Sequence, residues 1–205
     1  MLKNANNEFP LKGKMIFFAT ANIHKFNEAR CILGNLGIGV GMLKLKGDEI
    51  QSESLQEIAE KSVQSAYKKC GLPIIVEDAG LFIDALEGFP GPYAAYAYKT
   101  IHNSGIFKLL ETKENRNATF QSIISYCDNQ TQMDPLSFYG QSKGVITLQE
   151  RQEPGKPAFG FDPIFQPNNS SKTFAEMTLQ EKNSYSHRAE ALTKFAQWYM
   201  SSSTP

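Results

Sequence analysis

The run Ile74-Ile75-Val76-Glu77-Asp78-Ala79-Gly80-Leu81-Phe82-Ile83 constrains this chain more than any other stretch. Its apolar start reads as a buried strand that ends in two adjacent carboxylates and a glycine. Acids at the end of a buried strand are costly to desolvate unless a cation, a metal ion or a proton shares the site. The following Gly88-Phe89-Pro90-Gly91-Pro92-Tyr93 cannot be helix interior and is expected to form a rigid wall beside them. Two readings of Glu77 and Asp78 stand at this point: caps for the next segment, or half of a binding site.

The 205 residues suffice for one large domain or two closely joined lobes. Lys plus Arg equals Asp plus Glu, at 21 each, so no overall field draws the chain to nucleic acid or to a membrane surface. Any anion must be held by local basic groups. Cys31, Cys70 and Cys127 are odd in number and lack metal-ligand spacing, which points to reduced thiols and a cytoplasmic protein. His24, His102 and His187 are equally scattered, which argues against zinc. No apolar run is long enough to span a bilayer, and the start lacks a signal peptide's apolar segment. The expected organisation is an N-terminal extension (1–13), a single domain (14–200) and a short tail (201–205).

Lys14 to Thr20 reads as a strand and Ile23 to Leu33 as a helix. The turn between them, Thr20-Ala21-Asn22-Ile23-His24-Lys25, aims backbone N–H groups and the positive helix end at whatever lies above it. With Asn22 and Lys25 it suits a polyphosphate, or it is an ordinary N-cap with a solvated lysine. It lacks the glycines and the Lys-Ser/Thr pair of a Walker loop. Val40 to Leu45 reads as a strand, and Leu55 to Cys70 as an amphipathic helix with Lys61 off its apolar stripe.

Further on, 93–98 and 106–110 read as short helices, and 118–127 and 136–148 as strands that make the sheet mixed. Phe159-Gly160-Phe161-Asp162-Pro163 sets aromatics beside an acid fixed before proline. Those rings are core residues, or one offers its face to a flat base. Thr178-Leu179-Gln180-Glu181 fits a capping box that opens a helix continuing to Tyr199, with Lys182, Ser186, His187 and Arg188 near its start. The fold class expected is α/β, a mixed twisted sheet with flanking helices.

In this order the stretches 20–25, 77–81 with 88–93, 159–163, and 181–183 with 186–188 resemble the inosine triphosphate pyrophosphatase family. The resemblance runs from about Lys14 to the last helix and implies two lobes around a deep nucleotide-binding cleft. It implies hydrolysis of deaminated purine nucleoside triphosphates (ITP, dITP, XTP) to monophosphate and pyrophosphate. It also implies one or more magnesium ions and a homodimer. On the matching positions, Thr20, Ala21, Asn22, Ile23, His24 and Lys25 become the phosphate turn, and Asp78 the base and a magnesium ligand. Glu49 becomes the second metal carboxylate, and Lys61 and Ala79 substrate contacts. Phe159, Gly160, Phe161, Asp162, Lys182, His187 and Arg188 take the nucleotide, and Glu77 is left in support. Ala79 replaces a frequent serine or threonine, and Ala95 a lysine found in some members.

Water would then attack the α-phosphorus, with Asp78 taking its proton, a role typically contributing about 10²–10⁴-fold. His187 and Arg188 would donate to the C6 oxygen of hypoxanthine or xanthine and would meet adenine's amine donor to donor. The competing readings are a pyrophosphatase for other modified nucleotides and a nucleotide-binding module without turnover.

Overall fold

The computed structural model describes residues 14–45, 48, 50–131, 133–155 and 159–202. The expected extension 1–13, Glu49 and residues 203–205 of the tail lie outside the described residues. The elements begin β1 (Lys14–Ala19), α1 (Ile23–Asn35), β2 (Ile38–Leu43), α2 (Leu55–Cys70) and β3 (Ile74–Ile83). They continue with β4 (Pro90–Gly91), α3 (Ala94–Leu109), β5 (Asn117–Cys127) and β6 (Leu136–Ile146). After β7 (Phe165–Pro167), the helices α4 (Leu179–Asn183) and α5 (His187–Ser201) close the described chain.

The strands form one seven-stranded mixed sheet in the order β2-β1-β3-β5-β6-β7, with β4 paired to β3. Strands β1, β2 and β3 are parallel, and the second half joins antiparallel to β3. Alternate side chains of a strand face opposite sides of a sheet. Ile75 therefore packs with Phe18, Ile124, Ala29 of α1, and Leu192 and Phe195 of α5. Its neighbour Ile74 packs on the other face with Val63 and Ala66 of α2. Helices α1 and α5 thus cover one face and α2 the other.

Several expectations change, among them the second strand, which spans Ile38–Leu43 rather than Val40 to Leu45. The two acids do not end their strand: β3 runs on through them, paired with β5 from Ile74↔Cys127 to Ile83↔Ala118. Backbone pairing carries the strand across the charges, and period two sends Glu77 to the α1/α5 face and Asp78 to the α2 face. The two short helices expected around Ala94 and Ile106 are one helix kinked at His102, where φ is 55° and ψ −170°. Strand β6 stops at Ile146, two residues short of the expected Leu148. The C-terminal helix is two helices: the Thr178 capping box opens α4, which ends at Asn183, and Ser186 then caps α5. Ser186 Oγ accepts from Arg188 N (3.2 Å) and Ala189 N (3.4 Å), so it serves the helix start rather than standing as an outward donor.

The Gly-Pro-rich turn folds back as β4 on Leu81 and Phe82. A Cβ on Gly80 would lie 2.5 Å from Gly91 O, so only glycine lets the turn lie this close to β3.

Candidate active site

Strand β1 has β2 on one side and β3 on the other, reached over opposite faces by α1 and α2. Such a reversal of strand order is a switch point, and a crevice forms at the carboxyl ends of the strands flanking it. Here β1 pairs with β3 only through Phe17↔Ile74 and Phe18↔Ile75. Beyond Ile75 the strands part, and a cavity of about 980 Å³ opens. Thr20, Ala21, Asn22 and Lys25 line it from the β1–α1 turn, and Glu77 and Asp78 from β3. Ala59 and Ser62 of α2 form another side, and Pro92, Tyr93, Ala95 and Tyr96 provide the wall expected of the Gly-Pro turn.

The turn keeps both of its sequence readings at once. Asn22 is the N-cap of α1, its side-chain oxygen accepting from His24 N (3.0 Å) and Lys25 N (3.3 Å). Asn22 N in turn donates to Thr20 Oγ1 at 3.1 Å, which tightens the loop. The lysine is not merely solvated. Lys25 Nζ stands 3.0 Å from Glu77 Oε2 and 3.4 Å from the Glu77 carbonyl oxygen. Ile23 and His24 sit exposed at the rim, outside the cavity lining.

Beneath the cavity three cations and three carboxylates alternate in a chain. Lys25 meets Glu77, Glu77 Oε1 accepts from Arg188 Nε (2.8 Å), and Arg188 Nη1 donates to Glu28 Oε2. Glu28 Oε1 accepts from Lys182 Nζ (2.8 Å), which also meets Asp162 Oδ2 at 2.7 Å. Ser122 Oγ donates to Glu77 Oε1 at 2.9 Å. Five of the six charged residues are at most 8% exposed, so these charges persist because each is paired. Burial alone would raise the Glu77 pKa, but Arg188 and then Lys25 outweigh it and hold the carboxyl at about 2. Glu28 is likewise held at about 2 by Arg188 and Lys182 against its burial. Asp162 ends the chain with Lys182 alone, so burial wins and its pKa rises.

His187, 3% exposed, lies flat on Phe120 with ring centroids 4.7 Å apart and planes at 8°. Burial, reinforced by Arg188, pushes its pKa down to about 3, so the ring stays neutral. Phe161 is buried edge-on to Tyr98, whereas Phe159 stays half-buried and stacks with His24 at 5.1 Å.

Apart from Ile23, His24, Phe159 and Phe161, placed above, the expected site residues fall into three groups. Thr20, Ala21, Asn22, Lys25 and Asp78 meet at the cavity. Asp162, Lys182, His187 and Arg188 gather behind Glu77, with Lys182 already balanced by two carboxylates rather than presented to solvent. Lys61 is exposed on α2 beside the lining residue Ser62, Ala79 and Gly160 are half-buried, and Glu49 lies outside the described residues. Sequence reasoning passed over Glu28, which joins α1 to both Lys182 and Arg188. Its signal was an acid one helical turn beyond Lys25, beside the apolar face of Ala29 and Leu33. Lys44, a further cation lining the cavity, was also missed.

Among the described residues no group of three or more His, Cys, Asp or Glu is placed to hold a metal ion. The Asp78 carboxylate on the cavity wall suits a hard ion that draws its remaining oxygen ligands from phosphate and water, as magnesium does. No helix among the described residues is long and apolar enough to cross a membrane.

A mixed α/β sheet with an anion-directed turn and a carboxylate at its switch point defines a class of phosphate-handling α/β proteins. Within it the chain belongs to the Ham1 family, whose profile matches residues 16–198, bearing out the resemblance read from the four motifs. A dITP/XTP pyrophosphatase of Methanopyrus kandleri is 48% identical over 184 residues, covering 90% of this chain and 95% of the relative. A dITP/XTP pyrophosphatase of Thermococcus kodakarensis is 45% identical over 181 residues, covering 88% and 95%. Among solved structures, a HAM1 protein from Coxiella burnetii superposes with a TM-score of 0.79 at 29% identity, covering 92% of this chain and all of that one.

Proposed function

We propose that this protein hydrolyses deaminated purine nucleoside triphosphates, dITP, ITP and XTP, to the nucleoside monophosphate and pyrophosphate. The observation that carries this reading is the cavity at the switch point, where the α1 turn and the Asp78 carboxylate face one another in a chain of the Ham1 family. Relatives named dITP/XTP pyrophosphatase, 45–48% identical over most of their length, support the choice of substrate.

In this reading the triphosphate lies on the Thr20–Lys25 turn, and Lys25 shares its charge between Glu77 and a phosphate oxygen. Asp78 accepts the proton of the water that attacks the α-phosphorus. Magnesium, held by Asp78 and Glu49, would neutralise charge on the departing pyrophosphate. Lys61 reaches the phosphates from α2, and the backbone N–H of Ala79 replaces a missing hydroxyl. The base lies toward Phe159, Gly160 and Phe161, with Asp162, Lys182, His187 and Arg188 fixing its polar edge.

The selectivity follows from hydrogen-bond polarity. Glu77 and Glu28 grip Arg188 from two sides, so its donors hold fixed directions. A fixed donor matches a C6 oxygen and cannot turn to accept from a C6 amine, and such mispairing can discriminate by about 10⁴–10⁵. The working form is a homodimer in the cytoplasm, where its free cysteines stay reduced.

The test is pyrophosphate release from ITP, XTP, dITP, dUTP, GTP and ATP with magnesium, alongside the mass of the particle in solution. Turnover of ITP, XTP and dITP far above ATP is expected. Equal rates on ITP and ATP would remove the keto-purine reading.

A further inference from the structure

The His24–Phe159 stack ties α1 to the turn that carries Asp162, the same two segments that Lys182 bridges through Glu28 and Asp162. His24 is one residue before Lys25 on the first turn of α1, so its ring stands beside the proposed phosphate turn. Phe159 opens the turn leading to Asp162, and its carbonyl oxygen accepts from Asp162 N at 3.0 Å. Asp162 is fixed by Lys182, which leaves Phe159 on an anchored turn. His24, by contrast, is exposed and free to change rotamer.

We propose that His24 is a substrate-binding residue: the second aromatic face of the base site, which closes on the purine from the side opposite Phe159. This inference rests on the nucleotide reading of the cavity. The ring centroids are 5.1 Å apart with planes at 29°, a direct stack with no room for a third ring. A sandwiched base needs two contact gaps of roughly 3.5 Å, or about 7 Å between the outer rings. Binding therefore separates the pair by about 2 Å. The exposed His24 swings outward, the base takes its place on Phe159, and His24 returns on top.

The contact adds affinity through the base and not through the phosphates. Stacking on one more ring is offset in part by loss of the His24–Phe159 contact, so the net gain is about fivefold to tenfold.

The test measures binding of IMP and of inorganic pyrophosphate to the full chain, together with KM and kcat for ITP. His24→Ala is expected to weaken IMP and raise KM for ITP about fivefold to tenfold, with a distinctly smaller loss of pyrophosphate affinity. His24→Phe, which keeps a flat ring, is expected to restore both values. Unchanged or tighter IMP binding in His24→Ala overturns the proposal. So does equal weakening of IMP and pyrophosphate, because that reports a distorted turn. A wild-type protein that binds IMP but does not turn over ITP removes the hydrolytic reading and leaves this measurement intact. One that binds no IMP overturns both.

Discussion

Arg188 Nε donates to Glu77 Oε1 at 2.8 Å, so the first turn of the last helix is fastened to the middle of β3 across 111 residues. The bond places a guanidinium directly behind the cavity wall. It also makes Arg188 the centre of a buried charge chain whose members come from α1, β3, the Phe159–Ile164 turn, α4 and α5.

The weakest point of that chain to perturbation is Glu28, the one carboxylate shared by two buried cations. Glu28→Gln leaves Lys182 and Arg188 with a net buried positive charge, and breaking a buried pair costs about 3–5 kcal/mol. Urea unfolding should show a loss of that size with an unchanged slope. Adding Lys182→Met should return part of it, because the excess cation is removed together with the carboxylate. Full additivity of the two losses would mean that these groups do not act as one network.

Acid should unfold the protein in two stages. The His187 pKa falls to about 3 when it is buried beside Arg188, from an ordinary value of 6.5. Below pH 6.5 the unfolded chain therefore binds a proton that the folded one refuses, and stability drops by about 1.4 kcal/mol per pH unit for this group. Glu28 and Glu77 join below their ordinary 4.5, because their folded values lie at about 2. Their stabilising contribution is present above 4.5 and is lost as pH falls through 2. Asp162, whose pKa is raised, works in the opposite direction. Denaturant titrations from pH 7 to pH 3 should show the first decline, and His187→Phe should flatten it between pH 6.5 and 5.

At the cavity, Asp78→Asn keeps the side chain's size and shape but removes a carboxylate that can take a proton. A fall in kcat for ITP of about 10²–10⁴ or more is expected, with IMP binding largely retained. The measurement is pre-steady-state pyrophosphate release beside calorimetric titration of IMP. A variant that turns over at the wild-type rate would remove Asp78 from the reaction.

The parts of this molecule legible in its sequence are those governed by local rules. The amphipathic stripe of Leu55, Ile58, Ala59, Val63 and Ala66 set the bounds of α2, and the Thr178–Glu181 box set the start of α4. Longer-range pairing stayed hidden. Glu77 and Asp78 look like a strand end when charge alone is weighed, but ten paired residues on β5 carry β3 through them. Glu28 was hidden for a related reason: its partners lie 154 and 160 residues away, and no spacing within α1 announces them. The four family motifs could be recognised because each is short and their order is fixed. The burial of Lys182 and Arg188 depends on three remote carboxylates.

Gly140 of β6 and Gly34 of α1 give opposite expectations for the same substitution. A Cβ on Gly140 would meet His187 O at 2.1 Å and Ala191 N at 2.5 Å, both backbone atoms of α5. No side chain can turn aside to relieve that clash, so Gly140→Ala must push the start of α5 off the sheet. Forcing a methyl into so tight a contact costs typically about 1–3 kcal/mol. Because the displaced turn carries His187 and Arg188, ITP turnover should fall with stability. At Gly34 a Cβ meets nothing within 4 Å, and the residue lies inside α1. Gly34→Ala should stabilise the protein by about 0.5–1 kcal/mol, through backbone entropy alone, with turnover unchanged. Thermal unfolding and ITP kinetics of the two variants separate close packing of α5 from a general intolerance of alanine. Equal effects at both positions would show that the contact between Gly140 and the α5 backbone does not hold the site in place.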